Sequence, residues 1–357
     1  MKQIIAVGLL SITLIACKKE TKTITKIDPT TGDTIKMEVA VEDSAKIAKE
    51  MAAKAAIKDS AGVYRQSFKL EKGKTYPFTT YQKNTITVSA PDGSKQTMST
   101  ENTDEVTFTV NDVVNGVYDM SVNFVSKKSS QTADGKTIAV DTKAAAPADE
   151  QLKNKWTLDK ALTGNTLKMK MDESGKILSI TGFDGIYKKM ETTIAGLTKD
   201  ADIRKMLSQQ AKAGFNQEML KDQFEKNIVI FPKKGIKVGE KWTVSENASQ
   251  DGKVKIVTNY TLNSVKDGVA EIGVTGGIPK QSDKATNEGI TRSMTSELTQ
   301  NGSLKFDINS GWILNQNLSV KTTQKETLSD GKQSQSMTNV TNSSVIVNPA
   351  KAVAAKK

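Results

Sequence analysis

The sequence predicts a mainly β protein, a β-rich α+β fold in which two related antiparallel units are joined by a helical segment. Each unit is expected to be a curved sheet or a partial barrel. Three observations support this. Apolar and polar residues alternate over most of the chain after Tyr64, three sequence blocks recur in the same order, and the spacing between residues 183 and 231 is helical instead.

The first element is an export signal at residues 1–16. Lys2 is its only charge, and a short apolar stretch follows. The stretch ends in a lipobox formed by Leu14, Ile15 and Ala16. We therefore expect signal peptidase to cut before Cys17 and the new amino-terminal cysteine to be lipidated, because its thiol can take a diacylglyceryl group. Two or more acyl chains would anchor the protein stably to a membrane.

The alternatives are an ordinary cleaved signal and an uncleaved helical anchor. The apolar stretch is too short to span ~30 Å of hydrocarbon, and Gly8, Ser11 and Thr13 interrupt it. Cys17 is the only cysteine, so no disulfide framework is expected. The Lys18-Lys19 pair after it lacks the aspartate that retains many lipoproteins at the inner membrane. The sequence thus predicts a protein of the cell envelope that is anchored by lipid at the outer membrane.

Residues 17–60 are expected to carry the lipidated cysteine and then a polar and helical spacer. The run from Glu42 to Lys58 has helical composition, but its apolar stripe consists mostly of alanine. Alanine buries little surface. We therefore expect a stalk or a loosely docked helix rather than part of the core.

The first β unit is predicted at residues 64–182. Tyr76, Phe78 and Ile86 fall on alternate positions, which is typical of half-buried strands, and Asn115-Gly116 predicts a tight hairpin turn. Residues 144–147, Ala-Ala-Ala-Pro, are expected to form a loop.

The helical segment is predicted at residues 183–231, where Pro232 ends it. Its apolar residues form three stripes at helical spacing. They are Ile186, Met190, Ile194 and Leu197, then Ile203, Met206 and Leu207, then Phe215, Met219, Leu220, Phe224 and Ile228. The second β unit is predicted at residues 232–348, and residues 349–357 are expected to be a disordered tail.

The internal repeat rests on three collinear pairs of blocks. Residues 73–78 parallel 239–244, residues 109–117 parallel 261–269, and residues 167–178 parallel 304–314 with one residue deleted. Common order makes coincidence improbable and predicts a duplication. The two units could form incomplete barrels with the helices as plug or lid. They could instead face each other as two layers with the helices across one edge.

Composition excludes several kinds of chemistry. The chain has no histidine and a single cysteine, so the usual zinc sites, Ser-His-Asp triads and Cys-His pairs are impossible. No cofactor or metal is predicted. The Ser-x-x-Lys pattern at residues 329–332 contains Asp-Gly and is expected to be a hairpin turn.

The net charge of +11 could favour anionic lipid or acidic glycan, or could simply be a solvated surface. Lysines are interleaved with acids along the chain, which favours the solvated surface. Because the chain carries an export signal, no nucleic-acid partner is expected.

A lipobox, a polar spacer and the repeated G-x-x-[YW], V-x-[DN]-G and S-G-x-Ile-Leu blocks resemble an uncharacterised family of envelope lipoproteins of diderm bacteria, known only as a domain of unknown function. The resemblance covers residues 64–348 and implies no reaction, cofactor or functional residue. A looser similarity to periplasmic lipoprotein carriers, whose curved sheet holds acyl chains under helices, concerns the fold alone.

Three functions are compatible with these observations. The leading hypothesis is a non-enzymatic envelope module that binds or assembles with a protein, glycan or lipid partner. The second is a carrier or sensor of a hydrophobic ligand, in which Met190, Met206 and Met219 adapt to apolar groups. The third is a glycan hydrolase that uses paired carboxylates. The carboxylates considered are Asp104, Glu105, Asp184 and Glu271, and none of them is favoured as catalytic.

Overall fold

The structure is a computed structural model that describes residues 21–27, 34–40, 55–249 and 251–349. The predicted signal, lipobox and Cys17, the spacer helix as far as residue 54, and tail residues 350–357 lie outside these described residues. The first strands of the described part are β1 (Thr21–Ile27), β2 (Thr34–Ala40), β3 (Lys58–Ser60), β4 (Val63–Arg65), β5 (Thr75–Ser89), β6 (Lys95–Val114), β7 (Val117–Ala133) and β8 (Lys136–Asp141).

Helices and further strands follow. The helices are α1 (Glu150–Leu162), α2 (Phe183–Leu197), α3 (Ala201–Gly214) and α4 (Gln217–Ile228). The strands are β9 (Thr166–Asp172), β10 (Ile177–Thr181), β11 (Lys241–Asn247), β12 (Lys255–Lys266), β13 (Val269–Asn287), β14 (Ile290–Asp307), β15 (Ile313–Ser329) and β16 (Ser334–Val347).

One antiparallel sheet of twelve strands carries the fold. Its order is β10-β9-β7-β6-β5-β16-β15-β14-β13-β12-β11, and β8 pairs with β7 beyond the end of β9. The sheet is curved and does not close on itself, which confirms the predicted fold class. Strand β16 pairs with β5 through Val347 and Thr80. The two units are thus joined edge to edge, an arrangement that neither sequence-based alternative anticipated.

The two units begin with matching backbone contacts. Gly73 N donates to Val110 O at 2.8 Å, and Gly239 N donates to Leu262 O at 2.7 Å. A register shift follows Val110 in β6, and an equivalent shift follows Leu262 in β12. The recurring sequence blocks therefore occupy equivalent places in the sheet.

The third pair of blocks needs a different alignment from the one read from sequence. Asp172 is paired with Val117, and Asp307 with Val269, so the two aspartates are equivalent. Aligning Leu167 with Leu304 is therefore wrong by two residues, and the extra residue of the second unit lies in the turn after Asp307. Sequence matching preferred two identical Leu-Lys pairs, and alternation could not reveal the error, because a shift of two residues leaves each side chain on the same face of the strand.

Helix α1 distinguishes the first unit from the second. It lies between β8 and β9, and both of these strands pair with β7. In the second unit the one continuous strand β14 takes their place and pairs with β13. Only strands and a loop were expected in this region, so α1 was missed. Its buried residues are just Asp159 and Ala161, and hence no apolar stripe marks it. Asp149 caps its start by accepting a hydrogen bond from Leu152 N.

The core fills one end of the sheet, on the face that carries Phe78 and Phe108, which we call the inner face. Trp312 is fully buried there, with its ring centroid 5.3 Å from those of Tyr76 and Phe108. Phe224 of α4 packs on Phe108 at 5.0 Å. Burial of these aromatic rings is the main stabilising contribution at this end.

The segment before β5 belongs to this core. Ala56, Ile57 and Phe68 are buried, so the predicted spacer boundary at residue 60 is wrong and the body begins by residue 55. Phe68 N donates to Glu173 O at 2.7 Å, and Lys69 N donates to Ser310 O at 3.0 Å. The segment therefore bonds the equivalent turns of both units.

Helix α4 lies between the two edge strands of the sheet. Glu225 accepts a hydrogen bond from Ile177 N of β10 at 2.7 Å. The next residue, Lys226, has its Nζ atom 3.7 Å from Glu246 of β11. One helical turn thus contacts both ends of an open sheet.

Candidate functional site

A cavity of about 360 Å³ lies between the inner face of β5–β7 and the four helices. This volume is within the range of ligand sites in proteins. Its apolar lining comes from the sheet and from the helices. The larger apolar side chains of the lining include Phe78, Val106, Phe124, Met190, Leu220 and Phe224.

Local structure explains why space remains at this point. Val106 pairs with Phe78 on one side and with Phe124 on the other, and the register shift between Glu105 and Val106 bends the wall. Opposite this wall, α3 presents the small residues Ala211 and Gly214. A Cβ atom added at Gly214 would meet no heavy atom within 4 Å. Helix α3 thus contributes little side-chain volume to this part of the lining through Ala211 and Gly214.

Two ion pairs stand at the polar side of the cavity. Lys127 Nζ lies 2.7 Å from Asp104 Oδ1, across neighbouring strands. Glu105 accepts hydrogen bonds from Lys143 Nζ at 2.5 Å and from Ser126 Oγ at 2.7 Å. The hydrogen bond from Lys143 holds the pKa of Glu105 below its usual value, so this carboxylate is ionised near neutral pH.

The four candidate carboxylates are only partly brought together. Asp104 and Glu105 line the cavity, Asp184 lies exposed in the first turn of α2, and Glu271 lies on β13 opposite Lys305. A general acid needs a raised pKa. The lowered pKa of Glu105 is the opposite of that requirement.

The three methionines proposed for ligand contact also differ. Met190 is buried and lines the cavity, whereas Met206 and Met219 are 48% and 50% exposed. Helical spacing placed all three on apolar stripes but could not tell the cavity side from the solvent side.

The Ser-x-x-Lys pattern is a turn, as predicted. Ser329 and Ser334 pair at the ends of β15 and β16, and Asp330 Oδ1 accepts hydrogen bonds from Lys332 N and Gln333 N. Gly331 has a φ of 87°, which glycine adopts readily. These contacts account for the pattern without catalysis.

Two kinds of feature are absent from the described residues. Over residues 21–27, 34–40, 55–249 and 251–349, no three acidic or sulfur ligands cluster as a metal site would require. No helix in this part of the chain is long and apolar enough to cross a membrane.

A second cavity, of about 290 Å³, lies on the opposite face of the sheet. Hydroxyl, amide and lysine side chains from β5, β14, β15 and β16 surround it, including Thr85, Asn301, Lys321 and Asn342. Aromatic and long aliphatic side chains, which are prominent in the lining of the first cavity, do not line the second, where Val320 is the one aliphatic side chain among the described lining residues.

Sequence reasoning missed the contribution of α1, whose Leu162 and Thr163 line the first cavity. It also missed the role of small residues on α3. Ala211 and Gly214, three positions apart and facing an aromatic wall, are a signal that could have indicated a void.

Comparison with protein families identifies one family to which the chain is similar. Residues 115–313, more than half of the sequence, match the Family of unknown function (DUF6263). The chain belongs to this family. The DUF6263 match runs from the turn after β6 to the first residue of β15 and so includes α1–α4. The resemblance to a family of unknown function is confirmed at that level.

No curated protein matches this DUF6263 member significantly. Among solved structures, one titled "Lipid-protein interactions in lipovitellin" is similar with a TM-score of 0.34 and 10% identity, covering 81% of this chain. The chain spans 26% of the length of that protein. An outer membrane channel from Pseudomonas putida F1 is similar with a TM-score of 0.18 and 8% identity, covering 80% of this chain and 99% of the channel. Likenesses of this size carry no argument about function.

Proposed function

We propose that the protein is a non-enzymatic binding module of the cell envelope that holds a hydrophobic or amphiphilic ligand between its sheet and its helices. The observation that carries this proposal is the apolar cavity under α1–α4, beside a core that its own side chains fill. A mainly apolar cavity with a few polar groups at one side is typical of small-ligand sites.

The proposed lack of catalysis is supported by the state of the cavity carboxylates. Asp104 is paired with Lys127, and Glu105 is paired with Lys143 and has a lowered pKa. Glu105 therefore does not supply a protonated acid near neutral pH. The absence of histidine removes the commonest alternative base.

The ligand proposal can be tested by filling the cavity. Gly214→Phe should place a ring in open space without a backbone clash, since this helical glycine has no near neighbour beyond its own helix. We expect the wild-type protein, purified from envelopes, to release an amphiphile on solvent extraction. The Gly214→Phe variant should release little or none, as measured by quantitative mass spectrometry of the extract.

The matched control is Gly196→Phe. Gly196 is also exposed and helical, has equally open surroundings, and lies on α2 away from the cavity lining. It should leave ligand content unchanged. Equal ligand content in both variants, or none in the wild-type protein, would contradict the binding proposal.

The envelope address is part of the same proposal and rests on the lipobox and Cys17. Cys17→Ser should prevent lipid attachment, so the protein should be released from membranes or remain unprocessed while the two β units stay folded. Fractionation of membranes, together with the mass of the amino-terminal peptide, measures this. A Cys17→Ser chain that still carried acyl groups would rule out the anchor.

A further inference from the structure

Among the described residues that line the cavity, every charged side chain is paired with a charge of opposite sign. The lining includes the Lys127–Asp104 pair at 2.7 Å and Glu105, whose partner Lys143 lies 2.5 Å away. Each of these charges is already neutralised by its neighbour. A ligand carboxylate that shared Lys127 would stand beside the carboxylates of Asp104 and Glu105, which would repel it.

Neutral hydrogen-bonding groups complete the same side. Gln210 of α3 and Gln223 of α4 line the cavity with exposed amides, each of which offers donors and an acceptor. Thr80 and Ser126 add hydroxyl groups from the sheet. These groups can donate hydrogen bonds to a head group and accept hydrogen bonds from it. Neither ion pair has to break for such bonds to form.

The positive net charge of the chain does not change the preference of the cavity for an uncharged head group. A charge of +11 favours anions at long range. At physiological ionic strength such attraction is screened within about 8 Å, whereas the paired charges are in direct contact. The contacts in the cavity therefore decide which head group is held.

Resting on the proposed function, we propose that the ligand is an amphiphile with an uncharged, hydrogen-bonding head group, such as a monoacylglycerol, rather than a fatty acid or an acyl amine. The acyl chain lies against Phe78, Phe124 and Phe224. The head group lies between the glutamines of the helices and the Lys127–Asp104 pair.

The test measures dissociation constants of the full mature lipoprotein in detergent at physiological ionic strength. Three amphiphiles with the same chain are compared by displacement of a fluorescent acyl probe: monomyristoyl glycerol, myristic acid and myristylamine. We expect the glycerol ester to bind about tenfold or more tightly than either charged compound, the ratio that 1.4 kcal/mol of discrimination produces.

Asp104→Asn sharpens the test, because it frees Lys127 for a ligand carboxylate. We expect myristic acid to gain about tenfold in affinity, while the glycerol ester changes little. Glu101→Gln is the matched control. It removes a carboxylate from an ion pair of the same 2.7 Å length on the same strand, with Lys83, away from the cavity. Circular dichroism verifies that both variants are folded.

The outcomes separate the two proposals. If myristic acid or myristylamine binds the wild-type protein as tightly as the glycerol ester, or if Asp104→Asn changes affinities no more than Glu101→Gln, the head-group inference is wrong and the cavity proposal stands. If none of the three compounds binds, the proposed function fails and the inference fails with it.

Discussion

The two β units share a strand plan but differ in what their inner faces hold. In the first unit, α1 interrupts the strand that β14 forms continuously in the second, and a cavity remains beside it. Trp312 of the second unit packs against Tyr76 and Phe108 of the first, whereas Lys176, its equivalent in the first unit, is exposed. Equivalent turns of a repeated sheet can thus differ, because one supplies a ring to the shared core and the other presents a lysine to solvent.

The largest difference is expected at the equivalent positions 312 and 176. Trp312→Ala should lower the free energy of unfolding by about 3–5 kcal/mol, because a fully buried ring and its hydrogen bond to Pro77 O are lost. Lys176→Ala should change it by less than about 0.5 kcal/mol. Chemical denaturation measures both. Similar losses at the two positions would remove the distinction between the units.

A smaller difference is expected at the two equivalent turn aspartates. Asp307 is fully buried and accepts hydrogen bonds from Ser310 N at 2.9 Å and Ser310 Oγ at 2.6 Å. Asp172 makes similar bonds with Ser174 but is partly exposed. Asp307→Ala should cost about 2–3 kcal/mol and Asp172→Ala about 1 kcal/mol in unfolding free energy.

The same denaturation curves, with ligand absent, measure these costs. A larger cost at Asp172 than at Asp307 would show that the first unit, not the second, depends more on its turn.

The last difference appears only at alkaline pH and concerns the first strand of each unit, where Tyr76 is equivalent to Trp242. Burial raises the pKa of Tyr76 to about 12 from a usual value of 10. The folded state therefore favours the neutral phenol. Its stability contribution is complete below pH 10 and is lost as pH rises from 10 to 12, by up to ~1.4 kcal/mol per pH unit.

Tyr76→Phe should reduce this alkaline loss, as followed by unfolding midpoints between pH 9 and 12. The substitution also removes the hydrogen bond from Glu71 N, so some stability should be lost at neutral pH. Tryptophan does not titrate, so Trp242→Phe, which keeps an aromatic ring beside Tyr260, should change the pH dependence less than Tyr76→Phe does. An identical alkaline profile in the Tyr76→Phe variant would contradict this account.

Much of the sheet could be predicted from local pattern, because alternation and tight turns are local properties. Asn115-Gly116 and Asp267-Gly268 both have positive φ values, as their residue types indicate. The pairing of β16 with β5 could not be predicted, because it joins residues such as Val347 and Thr80 that no periodicity relates. Helix α1 could not be predicted either, because its sequence is largely polar and has no apolar stripe at helical spacing.

The candidate site was predictable only in outline. The carrier hypothesis placed a helical segment with Phe and Met residues over the sheet. Met190 and Phe224 of that segment do line the cavity between helices and sheet. The cavity itself is lined by residues of the sheet and of all four helices, and cavity volume is a property of packing rather than of sequence pattern. The Lys127–Asp104 pair depends on strand register, which one bulge at Val125 alters.

Helix α4 has a further consequence for the protein at high concentration. An open sheet has two edges whose unpaired backbone groups can recruit strands from other molecules. Glu225 accepts a hydrogen bond from Ile177 N at one edge and Lys226 lies beside Glu246 at the other, whereas most residues of β11 stay exposed. Displacement of α4 would therefore free a backbone donor of β10 while β11 is already accessible, and a strand of a second copy could then pair with either edge.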